Sequence, residues 1–170
     1  PDFKNGRRPY GTYVVKTAWV ANWWQRFSYG SYGTNFDIAI LVTHKTANGS
    51  RVGQNVGAIP YRAFPNRAGL TDIYGYPAAA MRGLKMRTCR SRTKADWYGG
   101  RFFPGPTGLL ARCNMAAGSS GGPWVSRYDN GKGGSIGMID GLTSTGYAQA
   151  EHDSQAFHRE LLCVWCSTTT

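Results

Sequence analysis

The stretch NMAAGSSGGPW, residues 114 to 124, places two adjacent serines inside a cluster of glycines. A flexible linker is one interpretation, but a linker would have polar flanks, whereas this stretch follows Met115 and leads into Pro123-Trp124-Val125. Glycines between two apolar segments indicate unusual backbone angles or a close backbone approach. Nucleophilic catalysis needs such a turn, because it exposes a serine hydroxyl and lets neighbouring N–H groups converge on a substrate oxygen.

Asp37 is a second residue that could do chemistry, since it lies inside the apolar run NFDIAILV, residues 35 to 42. Aspartate is depleted from strands, and a buried carboxylate is costly unless it is paired. Asp37 therefore either faces water at the edge of a strand or is a buried acid that orients a histidine and stabilises its charged form.

Four blocks of the sequence, in this order, resemble the trypsin-like serine peptidases of chymotrypsin fold, particularly their secreted, bacterial, glutamyl-endopeptidase-like branch. DIAIL (37–41) resembles the block around the catalytic aspartate, and IYGYPA (73–78), followed by Cys89, resembles the GYP block. CNMAAGSSGGPW (113–124) resembles the nucleophile block, and GLTSTGY (141–147) resembles the strand that edges the primary specificity pocket. The nucleophile block is the most specific of the four. Each of the other three is weak evidence by itself, and they support the resemblance only because they occur together in this order.

The resemblance implies roles for individual residues in catalysis. Ser120 matches the nucleophile, and Asp37 matches the acid of a Ser-His-Asp triad. The backbone N–H groups of Gly118 and Ser120 match the oxyanion hole. The implied activity is that of a serine endopeptidase acting on protein or peptide substrates, and no cofactor or metal is implied.

The resemblance also implies how substrate is held and how the chain is cross-linked. Ser144, Thr145 and Gly146 match the segment that pairs with the substrate backbone. Cys89 and Cys113 would form a disulfide near the pocket, and closing a loop of that size stabilises a fold by about 3 kcal/mol in the chain-entropy estimate.

Two positions depart from the pattern of the resembling peptidases. Ser119 stands where many of them have an aspartate that pairs with the new N-terminus after activation cleavage, so that switch is not expected here. Thr143 stands where glutamate-preferring enzymes have a histidine beside the S-x-G strand, so a preference for glutamate is not supported.

The largest departure from the family pattern concerns the general base, which is a histidine in the resembling peptidases. The resembling peptidases carry a histidine in a T-A-x-H-C block well before the aspartate, but no histidine precedes Asp37, and KTAWV (16–20) matches only the T-A pair. His44 follows Asp37 by seven residues, which points the two side chains to opposite faces if the strand continues. We expect structural or surface roles for His44, His152 and His158.

Three explanations account for the missing histidine: the chain is the C-terminal portion of a longer protease, one chain of a cleaved protease, or a pseudo-protease that binds without cutting. The implied fold favours the first two. Residues 1–60 would supply only the later strands of a first β-barrel, and residues 61–170 a second barrel. Half a barrel leaves unpaired strand edges, which are a liability for a protein in water.

The secondary-structure elements that must position these residues are predicted to be mainly β-strands, as in an all-β fold, because short β-branched and aromatic runs alternate with turn signals. Strands are predicted at residues 13–24, 36–43, 70–78, 84–94, 108–115, 123–128 and 134–144. The last segment, SQAFHRELLCVW (154–165), has apolar residues at helical spacing and predicts a C-terminal α-helix. The predicted fold is thus a chymotrypsin-type double barrel, its first barrel incomplete, with a C-terminal helix.

The strongly basic composition limits the kinds of partner that the protein is expected to have. Twenty Lys and Arg against nine Asp and Glu give a formal charge of +11, which favours acidic partners or simply keeps a secreted protein in solution. The densest basic stretch, residues 82 to 94, carries no nucleic-acid motif and no run spans a membrane. The alternative to an enzyme is a catalytically inactive, protease-like module that uses this stretch to bind an acidic surface.

The cysteines indicate an oxidising, extracellular location. Their number is even, and disulfides suit a glycine-rich β protein, although their pairing cannot be deduced from spacing. CVWC closes the chain without a second pair, and two cysteines alone cannot complete a zinc site. Cys163 and Cys166 are therefore disulfide candidates whose partners stay open.

Overall fold

The computed structural model describes residues 3–27, 36–61, 69–78, 82–95, 108–115, 117–129, 135–149 and 158–164. Eight strands and two short helices follow one another in these ranges: β1 (Val15–Val20), α1 (Asn22–Phe27), β2 (Ala39–Thr43), α2 (Val52–Val56), β3 (Leu70–Gly75), β4 (Arg87–Ala95), β5 (Leu109–Arg112), β6 (Pro123–Asp129), β7 (Ser135–Gln149) and β8 (His158–Val164). The all-β fold class is confirmed. In the described ranges no helix is long and apolar enough to cross a membrane.

Six strands form a closed antiparallel barrel in the order β3-β4-β5-β8-β7-β6, with β3 pairing with β6 to complete the ring. Buried side chains from β3, β5, β6 and the segment after β5 make a core around Trp124 and Ile73, both almost fully buried. Since the barrel has no free edge, it is a rigid support for the loops at its rim.

The disulfide between Cys89 and Cys113 is confirmed. It joins β4 to the end of β5, with 5.9 Å between the two Cα atoms, and Cys89 packs against the barrel core. Cys113 itself is buried and begins the segment that leads to the two serines. The bridge therefore fixes the start of that segment to the barrel wall.

The prediction of a C-terminal helix is wrong for residues 158 to 164, which form strand β8. β8 lies between β5 and β7, with Leu110 opposite Leu162 and Leu142 opposite Val164. Without β8 both neighbours would have unpaired edges, so pairing within the barrel outweighs the helical spacing of the sequence. Residues 154–157, Trp165 and Cys166 lie outside the described residues.

The remaining two strands, β1 and β2, form a separate antiparallel sheet in which Trp19 lies opposite Ile40 and Ala18 opposite Leu41. Neither strand has a buried residue, and the side chains of Trp19 and Leu41 are each 57% exposed. The sheet ends at Thr43 and the barrel begins at Leu70; the domain boundary near residue 60 stays a prediction.

An ion pair among the described residues links strands β3 and β4 of the barrel. Asp72 on β3 lies directly opposite Arg90 on β4, and the guanidinium donates two hydrogen bonds to the carboxylate, at 2.6 and 2.8 Å. This hydrogen-bonded pairing with Arg90 holds the pKa of the Asp72 carboxyl below its usual value. The pair is thus a pH-dependent contribution to stability.

Replacing Asp72 with Asn is expected to flatten the acid limb of the stability profile. Because the folded-state pKa is lowered, the ion pair stabilises the protein above the unfolded-state pKa of about 3.9 and is lost as pH falls through the lowered value. Thermal unfolding between about pH 2 and 7 should show a steeper loss below about pH 4 in the wild type. An identical acid dependence in both proteins would contradict this assignment.

Candidate active site

The two adjacent serines lie on a loop, residues 117 to 122, that connects the end of β5 to β6. Hydrogen bonds fix this loop on two sides. Ala78 donates its N–H to the carbonyl of Ala117 at 2.7 Å, and Gly121 donates to the carbonyl of Thr143 on β7 at 2.7 Å. The stretch is therefore an ordered turn at the barrel rim, and its interpretation as a flexible linker is excluded.

Gly118 shows why the turn requires glycine. Its φ of +95° lies in the left-handed region, and a Cβ at this position would lie 2.9 Å from both the N of Ala78 and the carbonyl oxygen of Tyr76. Side-chain-bearing residues rarely adopt this conformation, and there is no space for one here. The loop consequently packs its backbone directly against the segment that follows β3.

The side chains of the two serines differ in exposure and in hydrogen bonding. Ser119 is 2% exposed, and its Oγ has no hydrogen-bond partner among the described residues; it lies where a Cβ on Gly75 would come within 2.9 Å. Ser120 is exposed, and its Oγ donates a 3.3 Å hydrogen bond to the carbonyl of Ser144. Only Ser120 thus presents its hydroxyl on the accessible side of the loop.

Asp37 is half-buried immediately before β2, and its carboxylate meets β7. Ser144 donates its Oγ hydrogen to Asp37 Oδ2 at 2.7 Å, although the two residues are 107 positions apart. Ser144 therefore contacts both predicted residues, accepting from Ser120 with its carbonyl and donating to Asp37 with its hydroxyl. The structure brings Asp37 and Ser120 together around one residue of β7.

The sequence did not reveal this use of the Ser144 side chain, since the predicted role of Ser144 concerned only its backbone. The pairing of β7 with β8 is interrupted between Thr143 and Gly146, which removes Ser144 and Thr145 from the regular ladder. Irregularities of this kind re-aim side chains near functional sites. Here the interruption coincides with the Ser144 hydroxyl that meets Asp37.

Thr143, at the position where the sequence pattern of glutamate-preferring enzymes has a histidine, is 5% exposed. The indole N–H of Trp124 donates a 2.9 Å hydrogen bond to its hydroxyl oxygen. Its backbone pairs with the serine loop, since its N–H donates to the carbonyl of Gly122 at 2.9 Å. The Thr143 side chain thus anchors the β6–β7 wall under the loop, a role that the sequence did not predict.

A pocket of about 600 Å³ opens beside Ser120. Its walls come from the serine loop, from the end of β3 and from two separate apolar side chains: they comprise residues 118–123, Tyr74, Gly75, Tyr76, Ile59 and Met86. The volume suits several amino-acid side chains or a small organic group. The pocket is mainly apolar, with the serine loop as its polar wall.

No histidine completes the arrangement in the described residues. His44 is exposed after β2, and its backbone N–H donates to the carbonyl of Val14. His152 lies outside the described residues, and of His158 only the backbone, in β8, is described. In the described ranges no three His, Cys, Asp or Glu side chains are grouped so as to hold a metal ion.

The chain resembles known proteins among the solved structures. No protein-family model and no curated protein sequence matches the chain. The protease Anisep from Arthrobacter nicotinovorans superposes with a TM-score of 0.76 at 25% identity, over 99% of this chain and 68% of Anisep. The thermostable serine protease AL20, from an extremophilic microorganism, gives 0.72 at 26% identity, over 96% of this chain and 66% of AL20.

A third structure, a Glu endopeptidase in complex with MPD, shares the fold with a TM-score of 0.61 at 16% identity, over 96% of this chain and 64% of its own. The chain thus has the chymotrypsin-type all-β fold of serine proteases. The predicted resemblance to trypsin-like serine peptidases is confirmed, and the chain spans about two thirds of the length of each of these neighbours.

Proposed function

We propose that this chain is part of a secreted serine endopeptidase that cleaves peptide bonds by a Ser-His-Asp mechanism. The observation that carries the proposal is the junction at Ser144, which holds Asp37 by a side-chain hydrogen bond and Ser120 by a backbone one. Two solved structures support it: the protease Anisep at 25% identity and the serine protease AL20 at 26% identity. The disulfide between Cys89 and Cys113 supports an extracellular location.

In the proposed mechanism Ser120 Oγ attacks the peptide carbonyl, forming a bond to carbon while its proton passes to a histidine. The carbonyl oxygen becomes an oxyanion, which the N–H groups of Gly118 and Ser120 stabilise. Within the described residues neither N–H donates to an acceptor, so both are available to substrate. Collapse then expels the amine, which the histidine protonates, and water releases the acyl group.

Asp37 positions and stabilises the histidine in this proposal, and Ser144 positions Asp37. A carboxylate that already accepts one hydrogen bond on Oδ2 is held in a fixed orientation and keeps Oδ1 for the imidazole N–H. Ser144, Thr145 and Gly146, at the interruption of β7, would bind the substrate backbone, since residues outside a regular ladder can pair with an added strand.

The histidine, in this proposal, comes from a polypeptide segment outside the present sequence, either in the same chain or in a partner chain. The β1–β2 sheet supports this, because its apolar side chains are exposed and a two-stranded sheet is at best marginally stable in water. Further strands that cover Trp19 and Leu41 would complete a first barrel and bring the base to Asp37.

Covalent labelling tests the proposal. The natively purified protein is treated with a fluorophosphonate and read by intact mass, together with Ser120→Ala and the matched control Ser119→Ala. We expect one adduct in the wild type and in Ser119→Ala, because the Ser119 hydroxyl is buried, and none in Ser120→Ala. A folded protein that takes no label while the histidine-bearing segment is present would contradict the proposed endopeptidase activity.

A further inference from the structure

A group of five exposed basic residues forms where two distant segments meet; we call it the basic cluster. It consists of Lys4, Arg7, Arg8, Arg82 and Lys85. The first three lie on a turn near the start of the sequence, and the last two lie on the connection between β3 and β4. The described residues 3–10 and 82–87 contain no Asp or Glu.

The two segments are joined by backbone contacts, so the cluster is a product of the fold. Lys4 pairs with Lys85 as an isolated antiparallel bridge, and Asn5 donates its N–H to the carbonyl of Leu84 at 3.0 Å. Lys4 also pairs with Arg7 across a tight turn whose central residues, Asn5 and Gly6, have φ of 51° and 82°. This is the backbone of an Asn-Gly hairpin turn, which fixes the spacing of the cations.

Like charges directly opposite one another destabilise a β pairing. Lys4 nevertheless faces a cation on both sides, Arg7 and Lys85, and none of the five forms an ion pair with a carboxylate of the described residues. By contrast, Arg90 on β4 is paired with Asp72. Cations that the fold holds together, with no carboxylate partner among the described residues, are an electrostatic site for an anion.

The cluster borders the pocket beside Ser120. Phe3, at the start of the basic turn, packs edge-on against Tyr76, with 6.1 Å between the ring centroids, and Tyr76 lines the pocket. Met86, which follows Lys85 in the chain, lines the same pocket. A polypeptide that reaches Ser120 through this side of the pocket would therefore pass the cations.

We propose that the basic cluster binds an acidic stretch of a polypeptide and so selects substrates that carry Asp or Glu outside the pocket beside Ser120, to one side of the bond cleaved. The peptide class rests on the proposed function, because it follows from the nearness of the cluster to the Ser120 pocket. The cations lie along two paired segments rather than around a closed cavity, which suits an extended chain better than a small anion.

Binding of labelled peptides to Ser120→Ala tests this without cleavage. Fluorescence anisotropy would compare a fluorescein-labelled peptide of alternating Glu and Gly with its Gln counterpart. We expect the Glu peptide to bind at least about tenfold more tightly at low ionic strength, with the difference shrinking as salt is raised toward about 0.5 M. Equal binding of the two peptides would overturn the proposal.

Two charge-reversed variants locate the site. Lys4→Glu with Lys85→Glu should remove most of the preference for the Glu peptide. Lys45→Glu with Arg92→Glu changes the net charge equally at exposed positions outside the cluster and should keep it. Equal losses in both variants would mean that only net charge matters. Tighter binding of a single-stranded oligonucleotide of equal charge would identify a nucleic-acid surface and overturn the peptide assignment.

The two proposals fail separately. A protein that takes no fluorophosphonate but binds the Glu peptide through Lys4 and Lys85 would retain the acidic-peptide site and lose the endopeptidase. A protein that is labelled at Ser120 but binds both peptides equally would retain the endopeptidase proposal and lose the acidic-peptide site.

Discussion

Replacing Ser120 with Ala is expected to lower kcat/KM for peptide hydrolysis by at least about 10⁴-fold in the protein that carries its histidine-bearing segment. The hydroxyl oxygen is the atom that forms the acyl bond in the proposed mechanism, and the residual rate would come from the oxyanion hole and from binding alone. A continuous assay with a fluorogenic peptide measures the loss.

The same substitution should leave the fold almost unchanged. Ser120 is exposed, and among the described residues its side chain makes one hydrogen bond, of 3.3 Å, to the carbonyl of Ser144. Removing a weak, partly exposed hydrogen bond costs at most about 1 kcal/mol, so the melting temperature should shift by only a few degrees. Loss of activity with an unchanged unfolding curve therefore assigns a chemical rather than a structural role.

Ser119→Ala is the matched control for this prediction. It removes one hydroxyl from the neighbouring residue, and the hydroxyl it removes is buried without a hydrogen-bond partner among the described residues. Since a buried, unpaired polar group is unfavourable, this variant should be at least as stable as the wild type. It should also keep hydrolysing peptides. A fully active Ser120→Ala enzyme, or an inactive Ser119→Ala enzyme, would contradict the assignment of the nucleophile.

Local sequence was enough to predict the serine loop, because the glycines that shape the turn are neighbours of the serine they position. Gly118 adopts a left-handed conformation in a space without room for a side chain, as the clustering of glycines indicated. The strands from β3 to β7 were likewise predicted from local sequence, and each overlaps its predicted range.

The contacts that assemble the site could not be predicted from the sequence. The hydrogen bond between Ser144 and Asp37 joins residues 107 positions apart, and nothing near either residue encodes it. The prediction of a C-terminal helix was wrong for a related reason. The helical spacing of apolar residues in that segment carries no information about β5 and β7, the two strands that β8 pairs with. The Lys4–Lys85 pair also depends on long-range backbone pairing.

Gly122→Ala is the second change with a large expected effect, and it acts through the backbone. A Cβ at Gly122 would lie 2.0 Å from the carbonyl oxygen of Tyr74 on β3 and 2.8 Å from that of Ser119. Contacts this short do not occur between Cβ and other atoms, and neither obstacle is a side chain that could rotate away. The serine loop and β3 would have to separate.

That separation would damage both stability and the site. β3 closes the barrel by pairing with β6, whose first residue, Pro123, follows Gly122 directly. Moving the loop away from Tyr74 therefore opens the barrel at its seam or displaces Ser120 from the carbonyl of Ser144. We expect a loss of at least about 4 kcal/mol in unfolding free energy, a size that marks strain in a packed region.

Gly121→Ala separates this steric effect from the conformational freedom of glycine. Gly121 has a φ of +76°, but a Cβ there would meet nothing within 4 Å, so only the left-handed backbone is penalised, by about 1 to 2 kcal/mol. Chemical denaturation of the two variants should therefore give a clearly larger loss for Gly122→Ala, and fluorophosphonate labelling should survive only in Gly121→Ala. If the two adjacent substitutions cost the same, the close approach of the serine loop to β3 is not what holds Ser120 in place.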